Sequence, residues 1–406
     1  MPDSKRNYDF VVIGAGIVGL ATASELLTRY PDCSLAVVDT ENRVAKHQSG
    51  HNSGVIHSGI YYRPGSQRAT TCRRGKVLME AFCDHHQIPW ERCGKVVVAT
   101  NAAEVESLQR ISERAEANGV EFKRINSDEL REIEPQASGI AALHVPESGI
   151  VNYARVCETL ATLIRQRGGE IRFLAEVTSI QNLASSVVVG LKSGLSLSTG
   201  YLINCAGLQC DRVAQMAGVK TDVRIVPFRG EYYELAPGRE HMVNHMIYPV
   251  PNPEFPFLGV HFTRMIDGGI ECGPNAVLAL AREGYRWNQI SLRDMKQTVV
   301  FPGFQKLAFK HWKTGLGEMN RSLRKSAFVS ALQKLLPTLQ SSDLVAGRAG
   351  VRAQAVSAGG ELIDDFLIES VGLSTHVLNA PSPAATASLA IAELIVDSIP
   401  KPDQCA

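Results

Sequence analysis

Two histidines lie six positions apart in the stretch SGHNSGVIHSGIYY, which spans residues 49–62. Because the unperturbed pKa of histidine is about 6.5, such a side chain can accept or donate a proton at neutral pH. His51 and His57 are therefore candidates for acid–base chemistry. The competing interpretation is that both are turn residues bonded to the backbone. We favour function for His57, between VI and SG, and leave both interpretations open for His51.

A strand, a glycine-rich turn and a helix are predicted at the start of the chain. The β-branched run YDFVVI leads into GAGIVG, and ATASELLTRY follows with apolar residues at helical spacing. Gly14, Gly16 and Gly19 form GxGxxG, and Asp39 ends a second apolar run. The glycines permit a tight turn and close approach to a pyrophosphate, while the acid binds ribose hydroxyls. Together with the free N–H groups of the helix N-terminus, this pattern predicts dinucleotide binding.

Composition limits the possible classes of protein. The 406 residues suffice for two domains or a large composite. The 42 Lys and Arg residues balance 41 Asp and Glu, so no overall field favours nucleic acid as a partner. The nine cysteines contain no CxxC pair, which predicts reduced, buried thiols and no metal site.

The N-terminus MPDSKRNYDF lacks the apolar region of a signal peptide. The sequence also contains no apolar run near the roughly 18 residues of a spanning helix. We therefore expect a cytoplasmic protein, either in solution or on the inner face of the cytoplasmic membrane.

The rest of the chain predicts an α/β fold with a second sheet. Residues 228–273 alternate apolar and polar residues between Gly and Pro breaks, which is typical of an antiparallel sheet. Residues 286–336 then read as helical. The C-terminal quarter returns to short strands (LVAGRAG, DFLIES, THVLNA) and a last helix at 383–398. Without a repeat or low-complexity linker, the second sheet is predicted to be inserted into the nucleotide-binding domain.

Several longer strings resemble a known family. GHNSGVIHSGIYY, FRGEYYEL, FLGVHFTRMIDG, GPNAVLA, GLGEM, AGVRAQAV and NAPSPAAT are similar to the L-2-hydroxyglutarate dehydrogenases, also called L-2-hydroxyglutarate oxidases. That family belongs to the FAD-dependent superfamily of D-amino-acid oxidase and glycine oxidase. The resemblance runs from about Tyr8 to about Ser398. One departure is Asp39, where the superfamily more often has Glu; the shorter acid still suits a ribose.

The resemblance implies a division of the chain. A Rossmann-like FAD-binding domain is expected from residues 1–84, 145–220 and 340–406. An inserted mixed or antiparallel-sheet substrate domain, like that of D-amino-acid oxidase, is expected from residues 85–144 and 221–339.

The implied reaction is oxidation of L-2-hydroxyglutarate to 2-oxoglutarate, with hydride transfer from C2 to flavin N5. The electrons would pass to a quinone or another acceptor. The reaction needs a base for the hydroxyl proton and cations for the carboxylates. His57 is our first choice as base and His261 the second. A histidine bonded across strands is the competing interpretation of His261.

Substrate contacts are also implied by the resemblance. Arg352, in AGVRAQAV, matches the position where glycine oxidase-like relatives hold the substrate carboxylate. A five-carbon diacid needs a second contact, for which the candidates are Arg229, Arg264, Tyr61 and Tyr232. Arg264 suggests that the strand of His261 faces an anion. At least two of these four are expected to be surface or core residues instead.

The expected cofactor contacts lie in several segments. NAPSPAAT enters the last helix, whose N-terminus would face the pyrimidine edge of the flavin and stabilise the anionic reduced ring. We expect non-covalent FAD, although His47 and His51 lie where some relatives link flavin covalently. Besides the fingerprint residues, the predicted contacts are Ser49, His51, Asn52, Ser53, Val55, Val177, Ala206, Gly207, Asn379, Pro381 and Ser382.

Residues 301–334 carry five large aromatic residues and seven Lys or Arg, but a single acid, Glu318. This composition predicts either peripheral contact with an anionic membrane, where a quinone could accept electrons, or a helical pair with a solvated basic face. The aromatic residues include Phe301, Phe304, Phe309 and Trp312.

Two other functions stay open at this point. One is a flavin amine or amino-acid oxidase of the same superfamily, which would not need a base for an already neutral amine. The other is a non-catalytic flavin-binding scaffold, for which the histidine loop has no evident purpose.

Overall fold

The computed structural model describes residues 6–251 and 259–400. Its strands are β1 (Arg6–Ile13), β2 (Leu35–Val38), β3 (Val55–Ile56), β4 (Trp90–Glu91), β5 (Lys95–Ala99), β6 (Lys123–Asn126), β7 (Ala141–Val145), β8 (Gly149–Val151), β9 (Glu170–Arg172), β10 (Val177–Asn182), β11 (Val187–Leu191), β12 (Ser196–Asn204), β13 (Arg224–Leu235), β14 (Met246–Pro249), β15 (His261–Arg264), β16 (Ile270–Gly273), β17 (Val277–Leu278), β18 (Leu344–Val356), β19 (Leu367–Val371) and β20 (Ser374–Asn379). Its helices are α1 (Ile17–Arg29), α2 (Gln67–His85), α3 (Ala102–Ala117), α4 (Ser127–Ile133), α5 (Tyr153–Gln166), α6 (Cys210–Met216), α7 (Leu292–Val300), α8 (Pro302–Leu323), α9 (Lys325–Leu332) and α10 (Ala384–Asp397).

The first sheet has the order β10-β11-β12-β1-β2-β9, and β20 and β19 continue from β12. Its strands β9, β2, β1, β12 and β20 run parallel. Helices α1, α2, α5 and α10 pack together on one face over an apolar core. The predicted strand, turn, helix and strand at the N-terminus are confirmed as β1, α1 and β2.

The second sheet has the order β17-β13-β16-β15-β14-β5-β7-β6, and β18 also pairs with β13. The sheet is mixed, because β14 joins β5 in parallel while the other pairs are antiparallel. The antiparallel prediction for residues 228–273 is therefore correct for β13, β15 and β16 and wrong for β14 at its junction with β5.

Strand β18 differs from the sequence expectation. Sequence placed residues 340–406 with the cofactor domain, but β18 pairs along β13 of the second sheet, with Arg352 opposite Phe228. The segment therefore crosses from one sheet to the other before β19 and β20. The exact domain limits stay a prediction.

Alternation along the strands gives the second sheet two distinct faces. Val96, Ile247 and Phe262 pack against Phe328 and Leu332 of α9 in one apolar core. The residues that precede or follow them along the strands point to the opposite face. That face carries Lys95, Tyr248 and His261.

The remaining predictions of local structure are confirmed. Residues 286–336 contain α7, α8 and α9, and the last predicted helix is α10. The eight cysteines within the described ranges are free thiols. Among the helices described, none has both the length and the apolar character needed to cross a bilayer.

Candidate active site

The glycine-rich turn after β1 has no room for side chains. Gly14 has a φ of +110°, and a Cβ there would lie 2.4 Å from the carbonyl oxygen of Cys205. A Cβ on Gly19 would lie 2.0 Å from the carbonyl oxygen of Gly14. Helix α1 begins after Gly16 without a side-chain cap on that residue. The backbone therefore leaves a cradle at a helix N-terminus, which suits the pyrophosphate of FAD.

Asp39 and Ser49 border this cradle. Asp39 Oδ2 accepts a hydrogen bond from the Ala15 N–H at 2.6 Å, and Oδ1 accepts one from the Glu41 N–H at 2.8 Å. Burial raises the pKa of the Asp39 carboxyl group. Ser49 Oγ accepts a hydrogen bond from the Ile17 N–H, at 2.9 Å, in the first turn of α1. Both predicted contacts thus lie beside the fingerprint turn.

The loop before β3 is fixed by its own side chains. The Asn52 amide donates to the carbonyls of Gln48 and Ser49, and Asn52 Oδ1 accepts from the Gly54 N–H. His51 Nδ1 hydrogen-bonds the carbonyl of Ala349 at 3.0 Å. His51 therefore has the backbone-bonded arrangement of the competing interpretation, and burial lowers its pKa.

Thr386, which sequence reasoning did not single out, connects this loop to α10. Its Oγ1 accepts a hydrogen bond from the His57 N–H at 3.1 Å and donates to the Val55 carbonyl at 3.1 Å. The Tyr153 hydroxyl donates to the same carbonyl at 2.9 Å. The available signal for Thr386 was its position in NAPSPAAT, at the start of the helix expected to face the cofactor. Hydrogen bonds through Thr386 thus hold the loop and the N-terminus of α10 together.

Other predicted cofactor residues stabilise strand ends. The Asn379 amide donates to the carbonyls of Ile363 and Asp365 and accepts from the Ala355 N–H. Gly207 has a φ of +51° beside the Gln48 side chain. The Ala206 N–H donates to the Asn204 side chain, and the Pro381 carbonyl accepts from the Ala384 N–H. Ser382 Oγ lies 3.4 Å from His57 Nε2. Ser53 is half-buried, and Val177 is the first residue of β10.

His57 and His261, the two candidate bases, lie near each other. Burial, followed by the charges of Lys95, Arg68 and His261 in that order, lowers the pKa of His57 to about 3. Burial also lowers the pKa of His261 to about 3, opposed by a 2.8 Å hydrogen bond between Nδ1 and the Gly259 carbonyl. Both rings are therefore neutral at pH 7.

The two histidines differ in accessibility. The His261 ring is 5% exposed and stacks on Tyr248 with ring centroids 3.9 Å apart. His57 also lies in the interior of the protein, but its side chain is half-buried and therefore more exposed than that of His261. His57 is thus the better placed of the two to touch a substrate.

Arg352 and Tyr232 occupy the same region. Burial raises the pKa of the Tyr232 hydroxyl to about 12, and a contact with Arg352 opposes this shift. The charge of Arg352 also lowers the pKa of His261. The structure therefore places Arg352, Tyr232, His261 and His57 in one region.

Lys95 is a site residue that sequence reasoning missed. Its side chain is buried, and Nζ lies 4.7 Å from the ring centroid of Tyr61 and 5.0 Å from that of Tyr248. The Tyr61 hydroxyl has no hydrogen-bond partner among the described residues. The available signal was a lysine opening the otherwise apolar strand KVVVA.

Two predicted arginines are not brought to this region. Arg264 is three residues from His261, so it points to the opposite face of the sheet, where it pairs with Glu91 at 3.1 Å. Arg229 is fully buried, pairs with Glu231 at 3.0 Å and stacks over Trp287. The side chain of Arg229 also points to the face of β13 opposite that of Phe228 and Arg352. Both cations thus already have protein partners.

Comparison with known proteins agrees with this geometry. The family model for FAD dependent oxidoreductases matches residues 9–398. An L-2-hydroxyglutarate dehydrogenase of Indibacter alkaliphilus is 50% identical over 387 residues, covering 95% of this chain and 97% of that protein. The Escherichia coli K12 protein of the same name is 47% identical, covering 97% and 93%. The chain belongs to the L-2-hydroxyglutarate dehydrogenase family of FAD-dependent oxidoreductases. Membership confirms the predicted resemblance and the cofactor.

Solved structures show the same fold at lower identity. An L-α-glycerophosphate oxidase from Mycoplasma pneumoniae has a TM-score of 0.79 at 23% identity, covering 96% of this chain and 94% of the other. Glycine oxidase from Geobacillus kaustophilus has a TM-score of 0.73 at 16% identity, covering 97% and 94%. These likenesses confirm the predicted fold class of this L-2-hydroxyglutarate dehydrogenase family member.

We expect Gly14→Ala to yield protein without bound flavin. A left-handed φ is strained for alanine, and its Cβ would collide with the Cys205 carbonyl. The flavin absorbance of the purified protein measures the loss. As a control, Gly315→Ala should retain flavin, because a Cβ there meets nothing within 4 Å. Full flavin content in Gly14→Ala would contradict the role of this turn.

Proposed function

We propose that the protein oxidises L-2-hydroxyglutarate to 2-oxoglutarate. The names of the close relatives support this substrate. The observation that carries the proposal is a neutral histidine pair among the buried or half-buried cations Lys95 and Arg352. A 2-hydroxy acid needs a proton acceptor and positive charge for its carboxylates, and this arrangement offers both.

In the proposed reaction, Arg352 binds the carboxylate next to C2. Bound FAD would supply the acceptor for the hydride that leaves C2. His57 takes the proton of the C2 hydroxyl group, so that the C2–O bond becomes a carbonyl. The negative charge of the substrate offsets Lys95 and Arg68, which lower the pKa of His57 in the free protein. Substrate binding therefore makes His57 a stronger base.

An anaerobic titration of the oxidised holoenzyme tests the substrate. We expect L-2-hydroxyglutarate to bleach the flavin absorbance, while its D isomer, L-lactate and glycine leave it unchanged. Bleaching by glycine would favour an amine oxidase instead. Bleaching by none of the four would favour a non-catalytic flavoprotein.

The identity of the base is tested with His57→Ala and His261→Ala. We expect His57→Ala to lower kcat by about 10²–10⁴-fold, because it removes a general base. His261→Ala should lower kcat less, since its ring is largely covered. An equal or reversed loss would argue against His57 as the base, and unchanged turnover in His57→Ala would favour an amine substrate.

The pH profile provides a second test of the base. Because the pKa of His57 is about 3 in the free protein, kcat/KM should stay level as pH falls from about 7 to about 5. An ordinary histidine with a pKa of about 6.5 would lose about tenfold by pH 5.5. Such an acid limb near pH 6.5, absent from His57→Ala, would contradict a base held neutral by Lys95, Arg68 and His261.

We also propose that the electrons pass to a membrane quinone and that α8 lies on the inner face of the cytoplasmic membrane. An apolar stripe on α8 supports this proposal. Phe309 is 85% exposed and Leu323 is 66% exposed, whereas Phe301 and Phe304 pack against the core. The stripe consists of Phe309, before the kink of α8 at His311, and of Trp312, Leu316, Met319 and Leu323, which follow helical spacing after it.

The charges around this stripe suit an anionic surface. Lys306, Lys310 and Lys313 are exposed on the same helix. Glu318, the only acid in residues 301–334, is buried and accepts a hydrogen bond from the Ala276 N–H at 2.9 Å. Exposed apolar side chains beside lysines are typical of a helix that lies in a membrane interface.

Flotation with vesicles containing anionic phospholipid and a ubiquinone tests this surface. We expect the double variant Phe309→Ser, Trp312→Ser to lose vesicle binding and quinone reduction but to reduce a soluble dye normally. Val77→Ser, at a 63% exposed site on α2, is the matched control and should bind as wild type does. Unchanged flotation of the double variant would contradict the membrane role of α8.

A further inference from the structure

We propose that Lys95 binds the carboxylate farther from C2 and thereby selects dicarboxylic over monocarboxylic 2-hydroxy acids. This inference rests on the proposed function and supplies the second carboxylate contact that Arg229 and Arg264 do not provide. It assigns to β5 a specificity-determining side chain.

The position of Lys95 is fixed by its strand. Lys95 opens β5, which pairs with β14 on one side and β7 on the other. Its side chain is 1% exposed and lies on the same face of the sheet as Tyr248 and His261. The ammonium group is thus held inside the protein beside the proposed reaction site.

The ammonium group has no anionic partner in the part of the chain that the structure describes. Among the described residues, no carboxylate lies within 4.0 Å of Lys95 Nζ, and its neighbours are the faces of Tyr61 and Tyr248. The other buried lysine in the described ranges, Lys76, pairs with Glu80 at 2.7 Å and Glu147 at 3.5 Å. Because an unpaired buried charge is costly, we infer that the anion for Lys95 arrives with the ligand.

The protonation state of Lys95 is compatible with this role. Burial lowers its pKa to about 8. The group therefore remains mainly cationic at pH 7. A bound carboxylate would raise this pKa again, because an opposite charge favours the charged form.

The placement of the two cations matches a diacid. Lys95 acts electrostatically on both His57 and His261, whereas Arg352 acts on His261. The histidine pair is therefore near two separate positive charges. A 2-hydroxy acid whose carboxylates are separated by C3 and C4 can use both charges, while a monoacid leaves Lys95 unpaired.

The test compares L-2-hydroxyglutarate with L-2-hydroxyvalerate, which has a methyl group in place of the second carboxylate. We expect Lys95→Met to lower the diacid-to-monoacid ratio of kcat/KM by roughly 30-fold or more, since it removes one partner of a buried charge pair. Lys95→Arg should retain more of the preference. Lys76→Met is the control, and its ratio should equal that of wild type.

Binding to the oxidised holoenzyme gives a second readout. Perturbation of the flavin spectrum by glutarate and by pentanoate yields two dissociation constants, and only that of glutarate should rise in Lys95→Met. If Lys95→Met does not retain FAD, Lys95→Gln takes its place in both measurements.

The outcomes separate the two proposals. A parallel loss with both acids would mean that Lys95 acts on an atom they share, and an unchanged ratio would mean that it contacts neither carboxylate; either result overturns the inference. If wild-type flavin is not reduced by L-2-hydroxyglutarate, the proposed substrate fails. The glutarate and pentanoate constants still test Lys95 in that case.

Discussion

The site depends on Lys95, a buried cation that no carboxylate of the described residues neutralises. Burial keeps His57 neutral, and the nearby charges of Lys95 and Arg68 add to this effect. Arg352 and Lys95 act in the same way on His261. The charges that would attract a dicarboxylate thus also favour the unprotonated form of both histidines. A carboxylate side chain beside Lys95 would neutralise its charge. It would weaken both the attraction for a dicarboxylate and the preference of the histidines for the neutral form.

Such a region must be supported from outside, and the loop at residues 49–57 provides one connection. Arg348, on β18, donates hydrogen bonds to the carbonyls of Gly50 and Asn52 and to the carboxylate of Glu271. On the other side, Thr386 joins the same loop to α10. The loop therefore bridges the cofactor-side helix and the second sheet, and it positions His57 relative to both.

Sequence predicted the parts of the protein that depend on local order. The turn at Gly14 follows from neighbouring residues because its glycines, strand and helix are contiguous. Arg352 was available only through resemblance, since its distance from His57 along the chain says nothing about contact. Lys95 was missed because a lysine beside apolar residues usually marks a strand end, and its burial depends on Tyr61 and Tyr248 from other segments. Arg264 could have been rejected from sequence, because residues three apart on a strand face opposite sides.

The buried or nearly buried cations of the protein fall into two groups, and this division argues for specificity by charge. Arg229 pairs with Glu231, Arg282 pairs with Asp211, and Lys76 pairs with Glu80. Removing Arg282 or Lys76 would leave a buried carboxylate behind, and removing Arg229 would leave a half-buried one, so their roles are structural. Lys95 lacks such a partner among the described residues, so its removal would leave no carboxylate of those residues unpaired. Burying an unpaired ammonium group destabilises the protein, and Lys95 forms no ion pair that offsets this. The burial of Lys95 is best explained by a ligand whose negative charge completes the pair.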